Sequence, residues 1–115
     1  MAKMKATPKS YSEAAALLNG REQVKLGNNT WLERLEGLQF IGVRLHNTYI
    51  VRFHYNGKVT LHTGGYHTVT TKERMNQFIY GRVYQKAYDW YFYVNRGTLA
   101  GEVTVIFSEG MEVQP

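Results

Sequence analysis

Apolar residues recur along this chain in short runs with a two-residue period, interrupted by two stretches with helical spacing, a pattern that predicts a β-rich domain with two helices. Residues 1–9 carry no such period and include Pro8, so they read as a flexible basic arm. Ser10 and Glu13 then have capping-box spacing, Ala14-Ala15-Ala16-Leu17-Leu18 propagates a helix, and Asn19-Gly20 supplies a left-handed stop. From Arg21 the period shortens. Residues 23–26, 30–35, 38–45, 49–55 and 58–63 read as a meander of strands, with Gly27-Asn28-Asn29 and Asn56-Gly57 as turns. A two-residue type I′ turn at Asn56-Gly57 would pair Tyr55 with Lys58, Phe53 with Thr60 and Val51 with His62. The other face would then carry Ile50, Arg52, His54, Val59 and Leu61, so neither face is purely apolar.

Further on, Thr70 and Glu73 repeat the capping-box spacing, and Met75, Phe78 and Ile79 form an apolar stripe on a helix ending near Gly81. Residues 82–87, 90–94 and 102–107 read as three more strands, with Trp90 and Phe92 on one face and Tyr91 and Tyr93 on the other. The expected fold class is α+β: a mainly antiparallel sheet of about six to eight short strands with two short helices. It forms a single domain over residues 10–107, between the basic arm and a loose tail, 108–115.

Composition narrows the functional classes. At 115 residues the chain fits one domain. No run reaches the ~18 apolar residues of a membrane span, and Met1-Ala2-Lys3-Met4-Lys5 lacks a signal peptide's apolar block, so a soluble, cytoplasmic protein is expected, with no membrane partner. Without cysteine there are no disulfides, thiolate metal sites or cysteine nucleophiles. A net charge of +5 with nine tyrosines suits a nucleotide or polyanion partner, although tyrosine is equally a good strand residue.

Chemical motifs are few. His46, His54, His62 and His67 show no zinc-protease spacing, and the hairpin register would put His54 and His62 on opposite faces, so no metal and no cofactor is expected. Glu13, Glu73, Asp89 and Glu102 fall on separate elements, and Ser10, Ser12 and Ser108 lie near the chain ends, so no catalytic residues are assigned and an enzyme is not expected. The densest polar run is Gly64 to Asn76, where Gly64 and Gly65 allow a sharp bend and Thr70 or Thr71 can cap a helix whose first N–H groups favour anions. Arg44, Tyr66, Thr70, Thr71 and Asn76 are the candidate ligand-binding residues. Gly64, Gly65 and Arg74 are assigned structural roles, Arg74 packing its stem beside Phe78 while its charge meets an acid.

The run Val43-Arg44-Leu45-His46-Asn47-Thr48, followed by Gly64-Gly65-Tyr66, Thr68, Thr70-Thr71-Lys72, Arg74 and Asn76, resembles a small domain widespread in bacteriophage genomes. The arrangement is similar to that of the phage anti-Thoeris signal-sponge family, whose oligomeric members sequester cyclic ADP-ribose-type immune signals without cleaving them. In that family arginines, an aromatic ring and an asparagine ten residues after the ring line the pocket. Tyr66 and Asn76 match that spacing, with Arg44 as the upstream arginine and Arg96 as the downstream one. The resemblance implies a homo-oligomer in the host bacterial cytoplasm, binding a small cyclic nucleotide. Two other classes stay open: a nucleic-acid or host-protein binder acting through Lys3, Lys5 and Lys9, and an enzyme cleaving such a signal.

Overall fold

Ser10 opens the first helix, α1 (Tyr11–Leu18), by accepting the Glu13 N–H at 3.2 Å, and Asn19 closes it in the left-handed conformation at φ 49°. The structure, a computed structural model, describes residues 3–95 and 102–113. Six strands form one antiparallel sheet in the order β1 (Gln23–Gly27), β2 (Thr30–Leu35), β3 (Phe40–Leu45), β4 (Thr48–His54), β5 (Val59–Leu61) and β9 (Met111–Val113). Helix α2 (Val69–Gln77) leads into a second sheet of β6 (Arg82–Lys86), β7 (Asp89–Asn95) and β8 (Glu102–Ile106), also antiparallel. The fold is α+β and mainly β, with nine strands among the described residues where about six to eight were expected. A single buried cluster joins α1, α2 and both sheets, with Leu18, Leu32, Val43, Val51, Phe53 and Phe78 fully enclosed.

The β4–β5 hairpin has a different register from the one its turn suggests. Phe53 pairs with Val59, Arg52 with Thr60 and Val51 with Leu61. His54 N–H donates to the Lys58 carbonyl at 2.8 Å, so Tyr55, Asn56 and Gly57 form a three-residue loop in which only Gly57, at φ 92°, is left-handed. Such a loop needs one left-handed residue where a type I′ turn needs two. Because side chains alternate, the one-residue difference exchanges the faces. Val51, Phe53, Val59 and Leu61 now share one buried face, and Arg52, His54, Thr60 and His62 share the other, which removes the mixed faces expected from the two-residue turn. His54 and His62 are therefore neighbours, each with Nε2 within 2.9 Å of Thr60 Oγ1.

Both termini are more tightly held than an arm and a loose tail. Met4 is buried with its side chain lying over Gly27, Pro8 is buried, and Lys5 N–H donates to the Leu26 carbonyl at 2.8 Å. In the tail, β9 pairs with β5, so Val113 lies opposite Val59 and joins the core. Apolar spacing in Met111 and Val113 carries this strand, but three residues are too few to show a period. Strand β3 also begins later than expected: residues Glu36–Leu38 wind into a 3-10 turn, and Gln39 turns left-handed at φ 59° before Phe40 starts the ladder. In β7, Trp90 and Phe92 are buried, whereas Tyr91 pairs with exposed Ile106 and stacks on Tyr84 at 5.6 Å.

Asn76 couples α2 to the second sheet. Its amide oxygen accepts the Val83 N–H at 2.7 Å while its amide nitrogen donates to the Val83 carbonyl at 2.8 Å. One side chain thus completes both backbone groups of a buried residue. Asn76→Ala would leave them unsatisfied, and destabilisation of about 2–4 kcal/mol in urea unfolding is expected, with Asn76→Asp intermediate because a carboxylate keeps only the acceptor half. A change below about 0.5 kcal/mol in the alanine variant would contradict this account.

Candidate functional site

The bend after β5 and the start of α2 build one side of a concave surface. Gly64 takes φ 64°, and a Cβ there would stand 2.7 Å from Thr48 Oγ1, so both its conformation and its closeness to β4 require glycine. Gly65 follows at φ 90°. Thr68 then caps α2, its hydroxyl oxygen accepting the Thr71 N–H at 3.1 Å. Thr70 and Thr71, expected as caps, instead stand in the helix's first turn. Thr68 takes their place because it alone is extended, at φ −106° and ψ 161°, the conformation an N-cap requires.

A pocket of about 460 Å³ opens where this segment meets the β3–β4 turn. Leu45 and Ile50 supply its apolar part, His46, Asn47 and Thr48 one wall, and Thr63, Tyr66, Thr68, Thr70 and Thr71 the other. His46 is left-handed at φ 54° and donates its N–H to the Asn29 carbonyl, which locks the turn to the neighbouring β1–β2 turn. A β-bulge in β4 brings in the rest: Val43 pairs with Val51 but Arg44 with Tyr49, leaving Ile50 as the extra residue. Tyr66 is 65% exposed, so its ring is available at the rim. The first N–H groups of a helix have no intrahelical acceptor. Thr68 takes that of Thr71, and Thr68, Thr70 and Thr71, the cap and first turn of α2, stand at the pocket wall.

Of the candidate binding residues, the structure brings Tyr66, Thr70 and Thr71 together at this pocket and places the others elsewhere. Arg44 is on the opposite sheet face, donating to Glu33 Oε2 at 2.6 Å and to the His46 carbonyl at 2.6 Å. Tyr49 donates to the other Glu33 oxygen at 2.8 Å, so the carboxylate is shared between them. Asn76 spends its amide on Val83, as described above. Arg96 lies outside the described residues. Arg74, expected to pack its stem beside Phe78 and meet an acid, has no acid partner among the described residues: only 5% exposed, it donates to Thr30 Oγ1 at 2.9 Å and to the Asn28 carbonyl at 3.3 Å. Thr30 pairs with Leu45, so this guanidinium stands one turn of α2 beyond Thr70 and Thr71, behind the pocket's apolar part.

The residue that sequence reasoning missed is Glu109. Its carboxylate receives the Thr63 N–H at 2.8 and 3.0 Å and also the Thr63 hydroxyl, while Thr63 Oγ1 accepts the Gly65 N–H at 3.1 Å. A segment read as loose tail therefore grips the diglycine bend. Only the acid beside a strand-forming Met-Glu-Val run hinted at it, and no local pattern links residues so far apart in sequence.

Titration follows from this packing. Burial raises the Glu109 pKa, but hydrogen bonds from the Thr63 hydroxyl and from the Thr63 and Gly64 N–H groups, with His62 nearby, outweigh it and hold the group below 4.5. Burial, then the positive charge of Arg52, lowers His62 to about 4, against the opposing pull of Glu109. His54 is lowered by burial, Arg52 and Lys58. In the folded protein His62 thus stays neutral while the unfolded chain takes up a proton below about 6.5, so stability falls as pH drops from about 6.5 to about 4. The Glu109 contribution is present above 4.5 and is lost as pH falls further through its folded value. Thermal melts between pH 8 and 3 should show both limbs, and His62→Gln should reduce the upper limb to the share of His54 while keeping most of the lower one, which rests mainly on the Thr63 and Gly64 hydrogen bonds. An unchanged profile in that variant would show that His62 is not the group responsible.

A family model described as Kyanoviridae Gp96 protein matches residues 7–114, nearly the whole chain. No curated protein and no solved structure matches.

Proposed function

The chain belongs to the Kyanoviridae Gp96 family of phage proteins, and on that premise we propose that it is an anti-defence protein that sequesters a cyclic nucleotide immune signal in the host cytoplasm. The observation that carries this reading is the coincidence, in one pocket, of an open helix start, an exposed tyrosine ring and a hydroxyl-rich wall. Each suits one part of such a ligand: backbone N–H groups and the helix dipole suit a phosphate, the Tyr66 ring a base, and the threonine hydroxyls a ribose. The pocket volume, about 460 Å³, falls within the ~300–1,000 Å³ of small-molecule sites.

Sequestration rather than turnover fits the lining. It holds one imidazole, His46, and no carboxylate, so a general acid–base pair is not assembled from these residues. Affinity here draws on backbone groups and hydroxyls held rigid by Glu109 and by the α2 cap, and prior ordering reduces the entropic cost of binding. The homo-oligomer belongs to the same proposal. Tyr84, Tyr91 and Tyr93 project from the outer face of the second sheet beside Ile106, which is 71% exposed, and tyrosine-rich faces of this kind suit interface cores. The arm reading is less well supported, because Met4 and Lys5 are tied to β1 and Lys9 sits 5.2 Å over the Tyr80 ring.

Calorimetry with cyclic ADP-ribose isomers and with cyclic di- and trinucleotides tests the proposal. At least one is expected to bind with a Kd near or below about 1 μM and to be recovered intact by mass spectrometry after denaturation. Tyr66→Ala, at an exposed position, should weaken that ligand by about tenfold without changing Tm. No binding by any of these ligands would end the reading. Product accumulating at substoichiometric protein would replace it with an enzyme.

A further inference from the structure

Arginine 34 occupies a position that the alternation of β2 assigns to the core. Thr30 and Leu32 precede it on the same face and are buried, and across the ladder it pairs with fully buried Ile41. At the end of the strand its guanidinium emerges into a second pocket of about 320 Å³, formed with Tyr11, Gln39, Phe40 and Tyr55. Phe40 to Leu45 spans the sheet between the two pockets, roughly 17 Å at ~3.4 Å per residue, so they are separate sites.

The other arginines that are not fully exposed among the described residues are well occupied. Arg44 has Glu33, Arg74 has Thr30 and Asn28, and Arg52 lies 5.2 Å over the Phe40 ring with a bond to the Tyr49 carbonyl. Arg34, with five N–H donors, makes a single side-chain hydrogen bond among the described residues, at 3.4 Å to the Tyr11 hydroxyl. That leaves the forked edge of the guanidinium, whose shape matches a carboxylate or phosphoryl group bidentately. Its surroundings suit an anion on an aromatic or planar carrier. Tyr11 and Tyr55 meet edge to face at 5.5 Å, Tyr55 is 74% exposed, and the exposed Gln39 amide offers further hydrogen bonds.

We propose that the pocket around Arg34 is a second binding site, for an oxyanion carried on a planar group, distinct from the pocket at the α2 start. Arg34 grips the oxyanion, Tyr11 and Gln39 add hydrogen bonds, and the Tyr55 ring covers the carrier. Phosphate and carboxylate share this chemistry.

Proton–nitrogen NMR titration with phenyl phosphate, benzoate and the neutral control benzyl alcohol separates the outcomes. Either anion should shift the Gln39 and Tyr55 amides and the Arg34 Nε–H, with a Kd below about 10 mM, and benzyl alcohol should not. The stronger of the two anions identifies the group recognised. Arg34→Gln should weaken the anion by about tenfold, and Tyr55→Ala, at an exposed position that does not risk the core, should weaken it severalfold. Equal shifts with benzyl alcohol, no shifts up to about 10 mM, or anion binding untouched by both substitutions would overturn the proposal.

Discussion

The carboxylate of Glu109 on Thr63 is the contact on which both the sheet's closure and the pocket depend. It joins the last part of the chain to the end of β5, next to the point where β9 completes the six-stranded sheet. A bend through Gly64 and Gly65 has little of its own to hold it, because glycine loses more conformational freedom on ordering than other residues. Two donors of Thr63 converging on one carboxylate, its N–H reaching both oxygens and its hydroxyl one, supply a charge-assisted compensation. Further along, the bend delivers Thr68 to the N-cap of α2, and the helix then reaches across to β6 through Asn76. A distant acid therefore sets the geometry of the pocket wall without lining the pocket.

Much of the fold was legible. Both helices and strands β1 to β8 follow from periodicity and stop signals, because each is decided by residues within a few positions of one another. Ser10, Glu13 and Asn19 illustrate this: every partner of the α1 cap is local. What was not legible depends on long-range pairing. Strand β9 has three residues and exists because β5 offers an edge; the burial of Met4 depends on the absence of a side chain at Gly27. The hairpin register turned on whether Asn56-Gly57 closes a two- or a three-residue loop, and the better arbiter was the core itself. Only the observed register puts Val51, Phe53, Val59 and Leu61 on one face.

The candidate site was legible as a place more than as a set of contacts. Of the Gly64–Asn76 run, Tyr66, Thr68, Thr70 and Thr71 line the pocket wall. Arg44 and Asn76 stand elsewhere for a common reason: each met a closer partner inside the fold. An amide in a helix next to a buried strand end serves a backbone N–H and C=O that would otherwise be orphaned. A guanidinium opposite a glutamate on a neighbouring strand forms an ion pair, and Glu33 on β2 is two places from the Arg44 partner Trp31. Residue type states what hydrogen bonds a side chain can make, and topology decides with whom.

With those residues spent, the anion binding proposed for the pocket would have to draw on groups that are not cationic side chains lining it. Two are available. The helix start presents N–H groups whose charge is partial but fixed in direction, and Arg74, one turn further along α2, has neutral hydrogen-bond partners and no acid among the described residues. In a medium of low polarisability a buried charge acts over several ångströms more strongly than an exposed one in water. Buried guanidiniums are costly unless hydrogen-bonded, and Thr30 and Asn28 meet part of that cost. The arrangement favours an anion that approaches the helix start while leaving the wall itself neutral, which is compatible with a ligand whose larger part is a base and a sugar. Arg34, near the end of β2, follows a different design, a guanidinium set directly in its pocket. One sheet thus presents two electrostatic environments, one built from backbone and buried charge, the other from a single half-buried fork.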